Sequence, residues 1–413
     1  MAFVKPFICV RPNEQNAPRV AALPYDVYNR QEAKQEILRE PMSFLKVDRP
    51  ETNFPDEVDT YDPLVYSKAK ELLYKMQEEG ILLLEEQECY YVYELIMEGR
   101  AQTGLVACAS IDDYLNNVIK KHENTREDKE LDRIHHVDLC DMHTGPIFLA
   151  YRAHAVISEA VATTKEEAPL YQFVSADGIS HNVWKLDQTD RIQAVRNAFA
   201  EIDSIYIADG HHRAASAVKV ALERRQRTPG FTGAEEFNFF LSVLFPHDQL
   251  MIMSYNRTVK DLRGLSKEEF LAKLTESFAV DYLGAVPYTP AKKATFGMYL
   301  EDGWYCLTAK EQIKTSQDPV AALDVSILQD YLLRPILGIE DPRVDKRIDF
   351  IGGIRGLKEL ERRVAMDMAV AFSMYPTSIE ELFAVSDADK LMPPKSTWFE
   401  PKLRSGLFLH KLS

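Results

Sequence analysis

The stretch Tyr206-Ile207-Ala208-Asp209-Gly210-His211-His212-Arg213 joins a strand-like apolar run to an Ala-rich, helix-like segment at 213–218. Asp209-Gly210 ends the first run and the second begins at once, so polar and ionisable side chains crowd the place where a strand meets a helix. The first turn of a helix has free backbone N–H groups and the positive end of the macrodipole, which favour a bound phosphate. The stretch therefore predicts an anion-binding strand–turn–helix junction.

Each residue of this turn has a chemistry that suits phosphate transfer. Gly210 allows a close backbone approach or a positive φ, and Arg213 can place two N–H donors on phosphate oxygens. Asp209 can hold a metal ion or take a proton, and His211 and His212 add two imidazoles. The alternative interpretation is an ordinary Asp-Gly turn with an exposed pair of histidines.

The chain has more acidic than basic residues, and this limits the classes of partner. The chain has 413 residues, with 49 Lys and Arg against 64 Asp and Glu, and a net charge of -15. Nucleic-acid binding needs a basic surface that displaces counterions, so the charge argues against that class. It leaves room for a local basic pocket that holds a phosphorylated metabolite.

Cysteine usage and hydropathy favour a cytoplasmic protein. The five cysteines are scattered and form no C-x-x-C pair, which is typical of a reducing compartment. We find no basic segment followed by an apolar leader, and no uncharged apolar run of about 18–20 residues that would span a membrane. The cysteines are Cys9, Cys89, Cys108, Cys140 and Cys306.

Strand-like and helix-like segments alternate along the chain, which predicts an α+β protein with mixed sheets and flanking helices. We expect an N-terminal region 1–111, a core region 112–260 that contains the DGHHR turn, and a C-terminal region 261–413 with a Pro/Lys tail. These regions have soft borders and are also compatible with one compact unit.

Several elements are predicted individually. Asp62-Pro63 and Gly80 bound a helix, because Asp caps, Pro suits the first turn and Gly ends helices. Glu98-Gly99 and Asp177-Gly178 predict hairpin turns. We further expect a short strand at 44–47, a strand pair at 237–245 and 251–259, and a long helix at 318–337.

A second polar cluster is His122-Glu123-Asn124-Thr125-Arg126, which follows Lys120-Lys121. A carboxylate flanked by cations is held ionised and can serve as a base toward a substrate hydroxyl. It can equally bind a cation, and a salt-bridged helix junction explains the same residues without any function. The motif is not the zinc-protease pattern H-E-x-x-H, because position 126 is Arg.

A third cluster contains His135, His136, Cys140 and His143. The last three are spaced four and three residues apart, which predicts one helical face. They could hold Zn²⁺, but structural zinc sites usually pair two short ligand hooks and a fourth ligand is not obvious here. We expect a packed His/Cys face instead.

Two further segments are candidate ligand contacts. In the tail, Lys395, Ser396 and Thr397 offer one cation and two hydroxyls to a phosphate. The alternative is a rigid chain end that only packs against the body. Near the N-terminus, the Pro-led loop with Tyr25 and Asp26 either lines a substrate pocket or forms a simple turn.

The motif from Asp209 to Arg213 resembles the phosphate-binding signature of the ParB/sulfiredoxin-like superfamily. Over nearly its whole length, the chain also resembles the family known as domain of unknown function ten-fifteen. The resemblance implies a ParB/sulfiredoxin-like core around 204–227. The segments that carry it are Pro24-Tyr25-Asp26-Val27, His122-Glu123-Asn124-Thr125, Gly145-Pro146-Ile147-Phe148, Asp209–Arg213 and Met392-Pro393-Pro394-Lys395-Ser396-Thr397.

The superfamily includes free-serine kinases, which have a similar D-G-x-H-R turn. By resemblance, Glu123 takes the role of the base, and Asp209, His211, His212 and Arg213 bind phosphate or Mg²⁺. The nucleotide implied is ADP or ATP. Genes of the ten-fifteen family are often associated with serine biosynthesis, so the implied substrate is serine or phosphoserine.

The sequence thus leads to a nucleotide-dependent phosphotransferase acting on a small hydroxylated metabolite. Glu123, Asp209 and His211 are its candidate catalytic residues, and Tyr25, Asp26, His122 and Arg126 line the substrate pocket. Gly210, His212, Arg213, Lys395, Ser396 and Thr397 bind the phosphates or nucleotide, and Asp209 binds the metal. The sequence does not fix the direction of transfer or the oligomeric state.

Two alternatives from other classes remain. The same turn could serve a nucleotide-gated binding protein that has no rapid chemistry, because a sensor needs the phosphate site and no base. A metal-dependent hydrolase using His135, His136 and His143 is the other possibility.

Overall fold

The structure is a computed structural model that describes residues 1–125 and 127–413. By contact clustering, the chain divides into two compact units. The first consists of Met1–Leu250 and Pro401–Ser413, and the second of Met251–Glu400. Residues 1–111 and 112–260, treated as two regions above, contribute strands to the same sheet of the first unit.

Helices occur in both units. The helices of the first unit are α1 (Ala17–Val20), α2 (Arg30–Arg39), α3 (Leu45–Asp48), α4 (Pro63–Glu78), α5 (Ile111–Leu115), α6 (Glu127–Cys140), α7 (Ala155–Thr164), α8 (Thr189–Ala200) and α9 (His211–Arg227). Those of the second unit are α10 (Lys267–Leu274), α11 (Asp324–Leu328), α12 (Leu357–Met366) and α13 (Ile379–Asp387). No helix among the described residues is long and apolar enough to cross a membrane.

The strands up to residue 250 are β1 (Val4–Lys5), β2 (Cys9–Pro12), β3 (Leu82–Leu84), β4 (Tyr90–Met97), β5 (Arg100–Ser110), β6 (Ile119–Lys120), β7 (Met142–His143), β8 (Ile147–Tyr151), β9 (Tyr171–Val174), β10 (Ser180–Leu186), β11 (Ile205–Asp209) and β12 (Phe239–Pro246). The strands that follow are β13 (Met251–Met253), β14 (Tyr255–Val259), β15 (Phe278–Gly284), β16 (Thr295–Leu300), β17 (Gly303–Ala309), β18 (Ile348–Gly352), β19 (Val370–Ser373), β20 (Trp398–Glu400) and β21 (Leu409–Lys411).

A mixed sheet forms the centre of the first unit. Within the described residues it has nine strands in the order β6-β11-β8-β12-β5-β4-β10-β9, and β1 pairs with β5. The β11–β6 and β12–β8 pairs are parallel and the others antiparallel. Every residue of β12 is buried, as its continuous apolar run requires of a central strand. A smaller sheet, β3-β2-β21-β7, places the last strand of the chain beside β2.

Local sequence explains the helices that carry the site. In α4, the Asp62 carboxylate accepts the Leu64 N–H and Pro63 occupies the first turn, as predicted. In α9, the Ala-rich segment packs into the main core cluster through Ala214, Ala217, Val218 and Ala221. Small side chains there allow the helix to lie close to the sheet.

The second unit contains a six-stranded sheet, counted over the described residues, in the order β15-β17-β16-β19-β14-β18. All its strand pairs are antiparallel, and β13 pairs separately with β20. Trp304, Ile351, Leu360 and Ala371 form one of its buried clusters. The fold of the chain is α+β, as the sequence predicts.

Three predicted elements are wrong. Segment 44–47 belongs to the helix α3 and its N-cap Phe44, because so short a segment with three apolar residues does not distinguish a buried strand from a buried helix. The long helix at 318–337 is absent: the Asp318 carboxylate caps a turn by accepting the Val320 N–H, and α11 begins only at Asp324. A π-helical turn, Gln329–Leu333, then follows.

The third wrong element is the strand pair at 237–245 and 251–259. Both segments are largely extended, but β12 pairs with β5 and β8, whereas β14 pairs with β18 and β19. Their proximity in sequence suggested a hairpin, yet Leu250 and Met251 belong to different units.

Candidate functional site

The predicted strand–turn–helix junction is confirmed. Strand β11 ends at Asp209, α9 begins at His211, and Gly210 is the N-cap with a left-handed backbone, φ 94° and ψ 32°. No side chain caps this end of the helix. A Cβ on Gly210 would lie 3.0–3.1 Å from the guanidinium atoms of Arg213. Glycine is therefore required both for the backbone angle and for the close approach of Arg213.

Asp209 is held in its ionised form. Its carboxylate accepts the Gly210 N–H at 2.8 Å and the Lys402 ammonium at 3.1 Å. Burial would raise the pKa of Asp209, but Lys402 and then Arg213 outweigh it and keep the pKa well below its ordinary value. Both carboxylate oxygens thus have protein donors.

Arg213 is engaged on one side only. It donates from Nη1 to the carbonyl of Pro146, while Nε and Nη2 lie against Gly210. Within 1–125 and 127–413, Nε and Nη2 have no hydrogen-bond acceptor, so most of its N–H donors are available. Arg213 also lies close to Gly145, where an added Cβ would be 3.7 Å from Nη1.

A small cavity adjoins Arg213. It offers about 30 Å³ to water-sized groups, which is room for about two water molecules. Arg133 lies over the ring of Tyr25, 4.1 Å from its centroid, and both residues line the space. The other lining residues are Pro24, Asp48, His136, Val137, His143, Thr144, Gly145, Ile147, Arg213, Leu241 and Ser405.

Charges around the cavity are partly balanced. Asp132 accepts two N–H groups of Arg133, at 2.8 and 2.9 Å, and the hydroxyl of Tyr66 at 3.0 Å. Burial raises the pKa of Tyr25 to about 12, so this phenol stays protonated and can donate a hydrogen bond. Two guanidinium groups and a phenol together suit a small anion.

The helical face predicted for His136, Cys140 and His143 is wrong. Helix α6 ends at Cys140, Asp141 reverses the chain with φ 55°, and His143 lies on β7. His136 Nε2 is 2.9 Å from the Val47 carbonyl, and the ring of His135 meets that of Tyr66 edge-on. His136 and His143 both line the small cavity, but His135, His136 and His143 do not form a metal-binding group among the described residues.

His122, Glu123 and His211 lie together at the junction. One ligand atom from each lies within 4.8 Å of the others, and among the described residues this is the group of three or more that could hold a metal ion. His211 Nδ1 is 4.0 Å from Glu123 Oε2, and the two imidazole rings meet edge-on with centroids 4.4 Å apart. Burial lowers the pKa of His122 to about 4, so its imidazole is neutral.

The remaining predicted residues lie elsewhere. Asp26 is exposed in the 3-10 turn Tyr25–Val27, and Arg126 lies outside the described residues. Lys395, Ser396 and Thr397 belong to the second unit, where the Ser396 hydroxyl donates to the Pro393 carbonyl at 2.6 Å. Their role in binding phosphate stays a prediction, as does that of His212, which is half-buried on α9.

Sequence reasoning missed two basic residues of this site. Lys402 pairs with Asp209 across 193 positions of the chain, and nothing local to either residue indicates the pair. Arg133 was not among the residues predicted for the site, although its place on α6 brings it over the ring of Tyr25.

A family model described as "Protein of unknown function (DUF1015)" matches residues 4–326. No curated protein sequence matches the chain. Among solved structures, a C-terminally truncated SbnI from Staphylococcus aureus is 12% identical, with a TM-score of 0.40, and the match covers 74% of this chain and 87% of that one.

Two further solved structures are similar at the same level. A mutant of free serine kinase in complex with ADP is 15% identical, with a TM-score of 0.35, over 75% of this chain and 93% of that one. A conserved hypothetical protein from Pyrococcus furiosus is 14% identical, with a TM-score of 0.35, over 74% and 95%. At these values the likeness concerns the fold alone.

Proposed function

The chain belongs to the DUF1015 family, and we propose that it is a nucleotide-dependent phosphotransferase that acts on a small hydroxylated metabolite. The observation that carries the proposal is the uncapped N-terminus of α9, with the guanidinium of Arg213 lying over Gly210. Phosphoryl transfer depends mainly on placement and charge compensation, and this turn offers both.

The phosphate would lie at the start of α9. Backbone N–H groups of the first turn face that point, and the helix dipole favours negative charge there. Nε and Nη2 of Arg213 are available to the ligand, while Nη1 donates a hydrogen bond to the Pro146 carbonyl. Arg133, which lies over the ring of Tyr25, adds a second cation that lines the same cavity.

Glu123 is the candidate base for the acceptor hydroxyl. It is half-buried, and its Oε2 lies 4.0 Å from His211 Nδ1, at the same junction as Asp209. A positioned carboxylate contributes about 10²–10⁴-fold through proton transfer. The resemblance to free-serine kinases directs the choice of acceptor to serine, with phosphoserine as the product or reverse substrate.

Asp209 would hold the Mg²⁺ implied by that resemblance. Its carboxylate is ionised, and Mg²⁺ usually takes one or two carboxylates together with substrate phosphates. When bound, the ion supplies charge neutralisation between phosphate groups. Lys402 occupies that position beside Asp209 in the structure and would have to move aside.

The test combines binding and turnover. ADP and ATP are titrated calorimetrically with Mg²⁺, and phosphoserine formation from serine is followed by mass. Arg213→Gln should weaken nucleotide binding about tenfold or more, because a charge-assisted contact is worth about 1.5–3 kcal/mol. Arg227→Gln, at the exposed far end of the same helix, is the matched control.

Glu123→Gln should lower kcat about 10²–10⁴-fold with the nucleotide affinity unchanged, whereas the exposed Glu127→Gln should behave as wild type. Binding of nucleotide without any product would favour the gated binding protein, since such a protein needs the turn and not the base. No stabilisation by either nucleotide would contradict both functions.

A further inference from the structure

The group His122, Glu123 and His211 is brought together by two neighbouring strands. β6 and β11 run parallel, with Ile119 opposite Ile205 and Lys120 opposite Tyr206. His122-Glu123 follows the end of β6, and His211 follows the end of β11. Because parallel strands end at the same sheet edge, loops that follow them meet there. The arrangement is therefore a property of the sheet rather than of one flexible loop.

His122 is a buried imidazole without a partner. It is 2% exposed, and neither Nδ1 nor Nε2 makes a hydrogen bond within the described chain. A buried polar group left unsatisfied costs about 1–3 kcal/mol, and native proteins rarely keep one without a reason. A bound ion would supply the partner that the described residues do not give to the ring nitrogens of His122.

The donors around His122 are those of a transition-metal site. His211 is 5% exposed, and its Nδ1 faces Glu123 Oε2 at 4.0 Å. Two imidazoles with one carboxylate suit Zn²⁺ and divalent Mn, Fe or Co, whereas Mg²⁺ prefers oxygen alone. Three protein ligands also leave a coordination position for water or substrate, as catalytic zinc sites do.

We propose that His122, Glu123 and His211 bind one divalent transition-metal ion. The site is distinct from the Mg²⁺ at Asp209 considered above, and its binding of metal does not depend on the proposed phosphotransfer. In this proposal Glu123 is a ligand of the ion in addition to its candidate role as the base.

A small movement of the side chains would bring the three ligand atoms to the separations of a metal site. Ligand atoms at about 2.0–2.1 Å from a tetrahedral ion are about 3.4 Å apart, compared with separations of up to 4.8 Å here. Closing that difference takes about an ångström of side-chain rotation. The His122 backbone N–H lies 3.5 Å from His211 Nε2, which is a long hydrogen bond. A metal ion at His211 Nδ1 requires the ring proton to be on Nε2, so this hydrogen bond would be lost when the ion binds.

Nearby charge supports a cation. The carboxylate of Asp209 is ionised and is one of the charged groups that act on both imidazoles. Lys402 pairs with that carboxylate, and Lys121 and His212 are the other basic groups facing His211. A bound metal ion would therefore have the Glu123 carboxylate as a ligand and the Asp209 carboxylate nearby.

The test uses the untagged full-length chain, stripped of metal and titrated with Co²⁺, which reports imidazole and carboxylate ligands by visible d–d absorption. We expect about one Co²⁺ per chain, displaced by Zn²⁺ and accompanied by a rise in Tm. His122→Ala and Glu123→Gln should each weaken binding at least about tenfold, and the exposed His135→Ala should not.

Glu123→Gln nearly preserves shape, so it decides the matter if His122→Ala fails to fold. Absence of stoichiometric Co²⁺ and Zn²⁺ binding by folded protein would overturn the site, as would wild-type binding by Glu123→Gln. Phosphotransfer with Mg²⁺ but no Co²⁺ site would leave the proposed function intact. A Co²⁺ site without phosphotransfer would leave the metal and remove the function.

Discussion

At the scale of single residues, Gly210 offers the sharpest test of the turn. A Cβ there would meet both a positive φ of 94° and the guanidinium of Arg213 at 3.0–3.1 Å. We expect Gly210→Ala to lower the free energy of unfolding by about 1–3 kcal/mol and to weaken ADP binding by displacing Arg213. Urea unfolding and calorimetric titration measure the two effects.

Gly178→Ala is the matched control for that substitution. Its φ is 80°, but nothing lies within 4 Å of the added Cβ, so it carries backbone strain without a contact. It should destabilise the protein and leave ADP binding unchanged. Equal binding losses in both variants would show that the approach of Arg213 is irrelevant.

His181 predicts a dependence of stability on pH. Burial, and then Arg404, lower its pKa to about 3, against about 6.5 in the unfolded chain. Between these values the unfolded chain binds the proton and the folded chain does not. Stability should therefore be complete above about pH 6.5 and fall as the pH drops toward 3.

The measurement is urea unfolding at a series of pH values. His181→Gln should flatten the decline between pH 6.5 and 4, because glutamine does not titrate there. Its amide can still donate to Tyr93 and accept from Ser175 and Arg404, the present partners of the ring. If the difference in unfolding free energy between the wild type and His181→Gln is the same at every pH, the assignment of the pH dependence to His181 is contradicted.

Sequence reasoning reached the residues of the turn but not all of their partners. The junction at Asp209–Arg213 is where it was predicted, since glycine, helix propensity and a strand end are local signals. Glu123 and His122 were selected without knowing that they meet His211. Lys402 could not be paired with Asp209, because tertiary contacts at that separation leave no local pattern.

At the scale of elements, the capping box of α13 can be tested alone. The Ser378 hydroxyl accepts the Glu381 N–H, and the Glu381 carboxylate accepts the Ser378 N–H. Ser378→Ala should lower the stability of the second unit by about 1 kcal/mol, and Ser378→Asp should retain it, because aspartate also caps. Thermal unfolding of the two variants should separate them, and equal midpoints would contradict the role of the cap.

Elements whose ends are marked by capping residues, proline or glycine were predictable from the sequence, and elements without such residues were not. Asp62-Pro63 and Gly80 fix α4, and the turns at Glu98-Gly99 and Asp177-Gly178 join paired strands. The segment after Asp318 looked helical, yet the buried Asp324 accepts the Ala294 N–H at 3.0 Å, a contact with the neighbouring β16 region. Such tertiary bonds override local propensity.

At the scale of the molecule, the last residues of the chain complete the first unit. Removing 401–413 would delete β21 and the Lys402 partner of Asp209. Fully burying an apolar side chain is worth about 1.5–3 kcal/mol, so the loss approaches the whole stability of a domain. The buried apolar residues deleted are Leu403, Leu407, Phe408, Leu409 and Leu412.

We therefore expect a chain that ends at Glu400 to lose the cooperative unfolding of its first unit and to be cleaved rapidly by protease within 1–250. Lys402→Ala in the full chain is the control, since it removes the ion pair with Asp209 but keeps β21 and the buried apolar residues, and it should leave the fold intact. Wild-type protease resistance of the truncated chain would contradict this role of the tail.

The order of translation follows from the division of the first unit into two segments. A ribosome makes Met1–Leu250 first, then all of Met251–Glu400, and only afterwards Pro401–Ser413. At about 5–20 residues per second, roughly ten to thirty seconds separate the DGHHR turn and β12 from the strand and lysine that finish their unit. During that interval we expect the apolar surface that 401–413 later covers to stay exposed on the nascent first unit.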